Sequence, residues 1–393
     1  MSVRQFSTVL AGDVAAKALT ALLVLGLVRL LQPADFASYV YLSSLVILSA
    51  TLLAGFFNRH YIMAGINGPS ARSYRRLQVG ISAALFIGVA AILGRDTGLL
   101  PLAAAMLCTV AAAAYDFRRT HAQKVQAFGD WSKADVVRAV LLVLLSAPPI
   151  WLWKGRTLIA ALMAAQTLAF ALGARLLPAL PTEEPAMEGV ASVLRDRGAI
   201  ALIGYFALVG LFGQMPILLL KQLAEPAELA SFGSAFRYYG LLLGVVSAAN
   251  VVILPRIAQT GDLVSTLRSL RRLLLGASAL VLVATGVAYF IIPYVDGGKY
   301  PQAPKLFILL CTGLFPGLVL APITAIFLRM DLQRHLLFSQ VAAVAVCAST
   351  AVALHGHGAF AGATAVPAGV AAQLVWLLVV SQILVARRRE GAA

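Results

Sequence analysis

Long apolar stretches recur along the whole chain of 393 residues, and only short polar connections separate them. A helix needs ~20 consecutive, mostly apolar residues to cross the hydrocarbon core of a membrane. Apolar residues make up 61% of the chain and charged residues only 12%, which excludes a soluble globular domain and a disordered chain. The sequence therefore predicts an all-α polytopic membrane protein with about twelve transmembrane helices. The predicted spans are 6–31, 37–57, 77–94, 98–117, 136–153, 157–178, 199–221, 229–254, 273–294, 304–328, 336–354 and 362–386.

Basic residues outnumber acidic ones, and their distribution predicts the orientation of the helices. The chain has 31 Lys and Arg against 16 Asp and Glu, a net charge of +15. If the N-terminus is cytoplasmic, 22 basic residues lie on the cytoplasmic side and 7 on the opposite side. Such an excess is the usual topology signal of membrane proteins, so it indicates orientation rather than a nucleic-acid partner. Both termini are therefore predicted to be cytoplasmic.

A short motif occurs twice, at equivalent points of the predicted topology. The chain reads PADFASY at 33–39 and PAELASF at 226–232, an offset of 193 residues. Each copy follows the first helix of a predicted set of six. We therefore expect an N-terminal six-helix bundle at 1–178, a cytoplasmic linker at 179–198 and a C-terminal six-helix bundle at 199–393. Because six is even, the bundles would be parallel repeats around a central cavity, where transporters of this kind bind their substrate.

Two cations within predicted spans are the main candidates for substrate binding, because an ionisable residue at membrane depth usually faces a partner or a water-filled cavity. Lys17 lies in the first span, four residues after Asp13, and Arg237 lies in the eighth. Asp13 and Lys17 form either a self-neutralising pair or part of the cavity wall. Arg237 either extends to the outer interface or faces Lys17, and together the two cations favour an anionic ligand. The polar Gln214 and Asn250 either bind substrate or bond a neighbouring helix.

Several kinds of functional site have no counterpart in the sequence. The chain contains no G-x-x-x-x-G-K-[ST] phosphate loop, which indicates that it does not hydrolyse nucleotides. The run from His355 to Gly358 lacks further metal ligands and is interpreted as a turn. No polar connection is long enough to fold as a catalytic domain. We therefore predict a protein that is not an enzyme and that needs no metal or cofactor beyond a coupling ion, H⁺ or Na⁺.

Short motifs along the chain resemble those of a known transporter family. They are LQPADFASY at 31–39, Asn58-Arg59, VVILPRI at 251–257, GKYPQA at 298–303 and GHGA at 356–359. In order and spacing they are similar to the Wzx-like oligosaccharide flippases of polysaccharide biosynthesis. That family belongs to the multidrug/oligosaccharidyl-lipid/polysaccharide (MOP) exporter superfamily, and the resemblance covers essentially the whole chain.

This resemblance implies two six-helix bundles around a cationic cavity, in which Lys17 and Arg237 attract a diphosphate and acidic sugars. It implies that a polyprenyl-diphosphate-linked oligosaccharide, the polysaccharide repeat unit, crosses the bacterial inner membrane by alternating access. The polyprenyl tail would stay in membrane lipid, and polysaccharide polymerase and assembly proteins are candidate partners. Related lipid II flippases place arginine within the second helix. In this chain the second helix has no basic residue before Arg59, which lies at its cytoplasmic end. The resemblance therefore adds Arg59 to the candidate ligands.

Two other functions stay open on the sequence alone. A cation-coupled multidrug exporter of the same superfamily would use carboxylates within the membrane, for which Asp13 is the candidate. A membrane enzyme of envelope polysaccharide assembly would need catalytic residues on an aqueous loop, and the sequence offers none.

Overall fold

The fold is helical throughout the part of the chain that the computed structural model describes, which is residues 3–63, 71–94, 96–181, 197–259 and 263–390. These residues form fourteen α-helices and one short 3-10 turn, His355–His357, with no strand among them. The helices are α1 (Val3–Leu30), α2 (Pro33–Thr51), α3 (Ala54–Met63), α4 (Ala71–Leu93), α5 (Leu99–Lys124), α6 (Phe128–Leu152), α7 (Gly155–Arg175), α8 (Arg197–Leu223), α9 (Pro226–Gln259), α10 (Leu263–Val295), α11 (Ala303–Thr312), α12 (Leu314–Arg329), α13 (Gln333–Ala353) and α14 (Ala359–Glu390).

Ten helical segments among the described residues are long and apolar enough to cross a membrane. These ten segments correspond to ten of the twelve predicted spans. They do not include the first and the eighth spans, which lie on α1 and α9. Large apolar side chains such as Leu99, Phe290 and Tyr294 are exposed, as expected where lipid is the solvent. The predicted fold class, an all-α polytopic membrane protein, is confirmed. The twelve-helix layout and its orientation stay predictions.

Two predicted spans are each divided into a pair of helices. The span 304–328 is α11 and α12, which meet at Gly313. Pro316 explains this break, because proline has no N–H and its ring clashes with the carbonyl four residues earlier, here that of Thr312. The span 37–57 is divided between α2 and α3, and Gly55 lies in the first turn of α3. At Gly55 the absence of a Cβ lets the Phe206 ring of α8 pack closely.

The two copies of the repeated motif adopt the same local structure. Pro33 begins α2 and Pro226 begins α9. In the first copy the Ser38 hydroxyl donates to the carbonyl four residues earlier at 3.0 Å, and in the second copy Ser231 donates in the same way at 3.0 Å. The carboxylate of Glu228 accepts a hydrogen bond from the backbone N–H of Glu225 at 3.3 Å, an arrangement typical of the start of a helix. This local likeness agrees with a duplication of the halves, which stays a prediction.

The chain divides into two compact units, Met1–Gly210 and Leu211–Ala393, with the boundary inside α8. In the first unit α5 packs against α2, α3, α4 and α7, and α1 packs against α6. In the second unit α11 packs against α9, α10 and α14, and α13 packs against α14. Most of the linker expected at 179–198 lies outside the described residues, so the predicted domain boundaries stay a prediction.

Candidate functional site

Three of the six candidate ligands lie in the first unit. The side chain of Lys17 is exposed on α1, and that of Arg59 is exposed on α3. Asp13 lies one helical turn before Lys17, and its side chain is outside the described residues. Lys17 and Arg59 are therefore accessible to a ligand, and the pairing of Lys17 with Asp13 stays a prediction.

The other three candidates lie in the second unit. Gln214 on α8 and Arg237 on α9 are half-buried, and the Nε and Nη2 atoms of the Arg237 guanidinium are buried. The side chain of Asn250, on α9, is outside the described residues. Whether these residues share a cavity with Lys17 stays a prediction.

Arg237 lies between two residues that hold a buried carboxylate. Ser234 Oγ donates to Asp296 Oδ2 at 2.6 Å, and Tyr238 Oη donates to Asp296 Oδ1 at 2.5 Å. Asp296 directly follows α10 and is buried. Burial raises the pKa of its carboxyl above the ordinary 3.8, and the two hydrogen bonds oppose that increase. The network attaches the segment of α9 that carries Arg237 to the end of α10.

Arg59 neighbours a polar network that joins α3, α4 and α5. Asn58 Nδ2 donates to Asp116 Oδ2 at 2.7 Å, and Gln78 Nε2 donates to the same oxygen at 3.3 Å. Sequence reasoning used Asn58 only as part of a motif and missed Asp116 and Gln78. The position of Asp116 near the end of the predicted span 98–117 could have indicated this network, because a carboxylate at that depth needs a partner.

Two Tyr–His pairs lie beside this network. His60 Nδ1 and Tyr74 Oη share a hydrogen bond of 2.5 Å, and Tyr61 Oη and His121 Nδ1 share one of 2.7 Å. Lys124 Nζ lies 4.2 Å from the centre of the Tyr61 ring and donates to the Tyr61 carbonyl at 2.8 Å. The pairs connect α3 to α4 and to α5. The sequence indicated none of these contacts, because the partners are far apart along the chain.

A second buried carboxylate joins α5 to α6. Asp135 accepts hydrogen bonds from Tyr115 Oη at 2.5 Å and from Trp131 Nε1 at 2.8 Å. Arg119 Nε lies 3.1 Å from Asp135 Oδ2, and the Arg119 guanidinium lies 4.7 Å above the Trp131 ring. Both oxygens of the Asp135 carboxylate therefore have partners. The spacing of Trp131 and Asp135, one helical turn apart, was the signal that sequence reasoning did not use.

The described polar groups divide into hydrogen-bonded carboxylates and exposed cations. The carboxylates of Asp116, Asp135 and Asp296 each accept hydrogen bonds from neighbouring side chains, so they are held in place as acceptors. No group of three or more His, Cys, Asp or Glu residues within the described ranges could hold a metal ion. Lys17 and Arg59 are exposed cations in the first unit. What these side chains can do is attract and orient an anion.

No protein-family model and no curated protein sequence match this chain. Its structure is similar to the lipid II flippase MurJ in an inward closed conformation, with a TM-score of 0.69 at 10% sequence identity. The match covers 95% of this chain and 87% of that chain.

The structure is also similar to an outward-facing multidrug resistance transporter of the MATE family, with a TM-score of 0.56 at 13% identity over 98% of this chain and 96% of that chain. A MOP-superfamily transporter from Pyrococcus furiosus gives a TM-score of 0.53 at 14% identity over 99% of this chain and 93% of that chain. At these identities the likeness establishes the fold alone. This chain has the helical fold of the MOP-superfamily transporters.

Proposed function

We propose that this chain is a flippase that moves a polyprenyl-diphosphate-linked oligosaccharide from the inner to the outer leaflet of the bacterial inner membrane by alternating access. The observation that carries the proposal is the structural likeness to a lipid II flippase over 95% of the chain. The resemblance of its short motifs to Wzx-like flippases gives the substrate class. The chain acts as a transporter rather than an enzyme, with both termini cytoplasmic and with H⁺ or Na⁺ as the coupling ion.

The charges of the chain support an anionic substrate. Lys17 lies on α1 and Arg237 lies on α9, whereas the net charge of +15 mainly reflects the topology signal. A guanidinium matches phosphate oxygens with its planar set of donors, whereas an ammonium acts as a point charge. A diphosphate has anionic oxygens that either kind of cation can bind, while the polyprenyl tail stays in lipid.

A cation-coupled multidrug exporter is the second candidate, and the likeness to a multidrug resistance MATE transporter favours it. Such an exporter is expected to use an ionisable carboxylate within the membrane. Asp116 and Asp135 are already bonded to neighbouring side chains. Asp13, on α1, is therefore the carboxylate that distinguishes this candidate: an exporter needs it, whereas a flippase needs Lys17.

Deletion and complementation in the source bacterium test the proposal. We expect the deletion strain to accumulate undecaprenyl-linked glycan on the cytoplasmic face, and the wild-type gene to remove it. Lys17→Ala and Arg237→Ala should leave the accumulation in place, because the diphosphate loses a cation that attracts it. Lys154→Ala and Arg156→Ala are matched controls, since both remove exposed cations near the start of α7. Immunoblots of the membrane fraction verify that each variant is as abundant as the wild type.

Two results would contradict the proposal. Normal surface polysaccharide together with drug sensitivity in the deletion strain would identify an exporter instead. Full complementation by Lys17→Ala and Arg237→Ala at normal abundance would show that the two cations do not bind the substrate.

A further inference from the structure

One end of the first unit carries an excess of basic side chains. It is formed by the C-terminal ends of α5 and α7 and the N-terminal part of α6. Contacts hold these elements together: Arg118 Nη1 donates to the Ala174 carbonyl at 2.5 Å, and the Arg119–Asp135 pair joins α5 to α6. We call this surface the basic end and define it by Arg118, Arg119, Lys124, Lys133, Arg138 and Arg175.

The carboxylates of the same elements do not neutralise the basic end. Asp116, Asp130 and Asp135 face six cations on the same stretches of α5, α6 and α7. The Asp135 carboxylate accepts hydrogen bonds from Tyr115 and Trp131 and pairs with Arg119. The Asp116 carboxylate accepts hydrogen bonds from two side-chain amides. The basic end therefore keeps a positive charge that an external anion can compensate.

Two guanidinium groups of the basic end are held in a defined orientation. The Arg138 guanidinium lies 5.6 Å from the centre of the Tyr115 ring and 5.2 Å from that of Phe170. Both Arg118 and Arg138 are half-buried. Their Nε atoms are buried and out of reach of a molecule outside the chain, so an external oxyanion would meet the Nη groups. Oxyanions are the acceptors that guanidinium groups match best.

Apolar side chains flank these arginines on the surface of the unit. Leu168 and Leu172 on α7 and Leu176 directly after it are exposed, as are Val137 and Val140 on α6. In a membrane protein such side chains face acyl chains. An oxyanion bound by Arg118 and Arg138 would therefore lie where its own apolar chains can pack along α6 and α7.

We propose that the basic end binds the phosphate group of an anionic membrane phospholipid, with Arg118 and Arg138 as donors and the acyl chains along the exposed leucines of α7. This site lies beyond the transport reaction and does not depend on the substrate. A membrane phospholipid rather than the transported diphosphate is favoured, because the site is open to bulk lipid and because juxtamembrane basic clusters attract anionic headgroups.

Lipid retention by the purified full chain tests the site. Phosphatidylglycerol and phosphatidylcholine with identical acyl chains are titrated separately into the detergent-solubilised protein, and native mass spectrometry counts the lipids retained. We expect the wild type to retain phosphatidylglycerol in preference to phosphatidylcholine. The double variant R118Q/R138Q should lose affinity for phosphatidylglycerol by about fivefold for each guanidinium removed. The matched control is K154Q/R156Q, which removes two exposed cations at the opposite end of α6 and α7 and should reduce retention less than R118Q/R138Q does.

Thermal unfolding without added lipid establishes that R118Q/R138Q is folded. Should it not fold, the single variants R118Q and R138Q decide instead, each with an expected loss of about fivefold in affinity for phosphatidylglycerol. Equal retention of the two lipids overturns the proposal. Equal losses in the double variant and in its control also overturn it. Retention of undecaprenyl phosphate that phosphatidylglycerol does not displace would assign the basic end to the transported lipid instead.

Discussion

Replacing Asp296 with alanine should destabilise the folded chain, because two hydroxyl groups would lose their acceptor. Ser234 is 0% exposed and Tyr238 is 7% exposed, so water cannot replace the carboxylate. A buried polar group without a partner costs about 1–3 kcal/mol, which gives roughly 2–6 kcal/mol for the two groups. Removing a buried carboxylate also relieves its desolvation cost, so we expect a net loss near the lower limit, about 2 kcal/mol. Asp296→Asn keeps a partner for both hydroxyls and should lose less than about 1 kcal/mol.

The pH dependence of stability gives this prediction a sign. Burial raises the pKa of the Asp296 carboxyl above its unfolded value of 3.8, so the folded state binds the proton more tightly. The stability that protonation contributes is fully present below pH 3.8 and is lost as the pH rises through the folded pKa. Asp296→Asn has no proton to lose. Relative to this variant, the wild type should become less stable as the pH rises across that window, and the difference should then level off.

Reversible unfolding in mixed detergent micelles, followed by circular dichroism, measures both effects on the full chain. The free energy of unfolding is compared for the wild type, Asp296→Ala and Asp296→Asn at several pH values. Equal stabilities for the alanine and asparagine variants would refute the reasoning on the two hydroxyl groups. A wild type that gains stability over Asp296→Asn with rising pH would refute the reasoning on burial.

Further predictions concern other contacts of the structure. Asp135→Ala removes the acceptor of three donors and should cost about 3–5 kcal/mol, seen as a loss of thermal stability and a shift in Trp131 emission, whereas Asp135→Asn should cost less. Gly358→Ala should lower the free energy of unfolding by at least about 1 kcal/mol, because φ is +55° and a Cβ would meet the Glu228 carboxylate. In a double-mutant cycle, adding Glu228→Ala should restore only the part of this loss that comes from the steric clash. The three cysteines are buried, so a membrane-permeant maleimide should label them only after unfolding; prompt labelling of the native protein would contradict their burial.

The helices were predictable because each depends on a local signal. Apolar runs of sufficient length indicated the spans, and proline is a typical first residue of a helix, as at the starts of α2 and α9. The break between α11 and α12 follows from Pro316 and could also have been predicted from the sequence. Hydropathy averages over a window, however, and one proline changes that average little.

The polar networks were not predictable, because their partners are distant along the chain. Asn58 and Asp116 are 58 residues apart, and Ser234 and Asp296 are 62 residues apart. Periodicity shows that a residue faces a neighbouring helix but not which residue it meets there. For the same reason the sequence alone identified Lys17 and Arg237 as unusual cations without showing what each contacts.

Transport by the purified protein in proteoliposomes tests the central claim most directly. A fluorescent polyprenyl-diphosphate-linked oligosaccharide is incorporated in both leaflets, and a glycosidase added outside cleaves only the molecules that reach the outer leaflet. We predict that wild-type vesicles allow cleavage beyond the half that is initially accessible, and that Lys17→Ala vesicles do not. Cleavage that stops at one half in vesicles containing folded wild-type protein, under H⁺ and Na⁺ gradients alike, would contradict the assignment as a flippase.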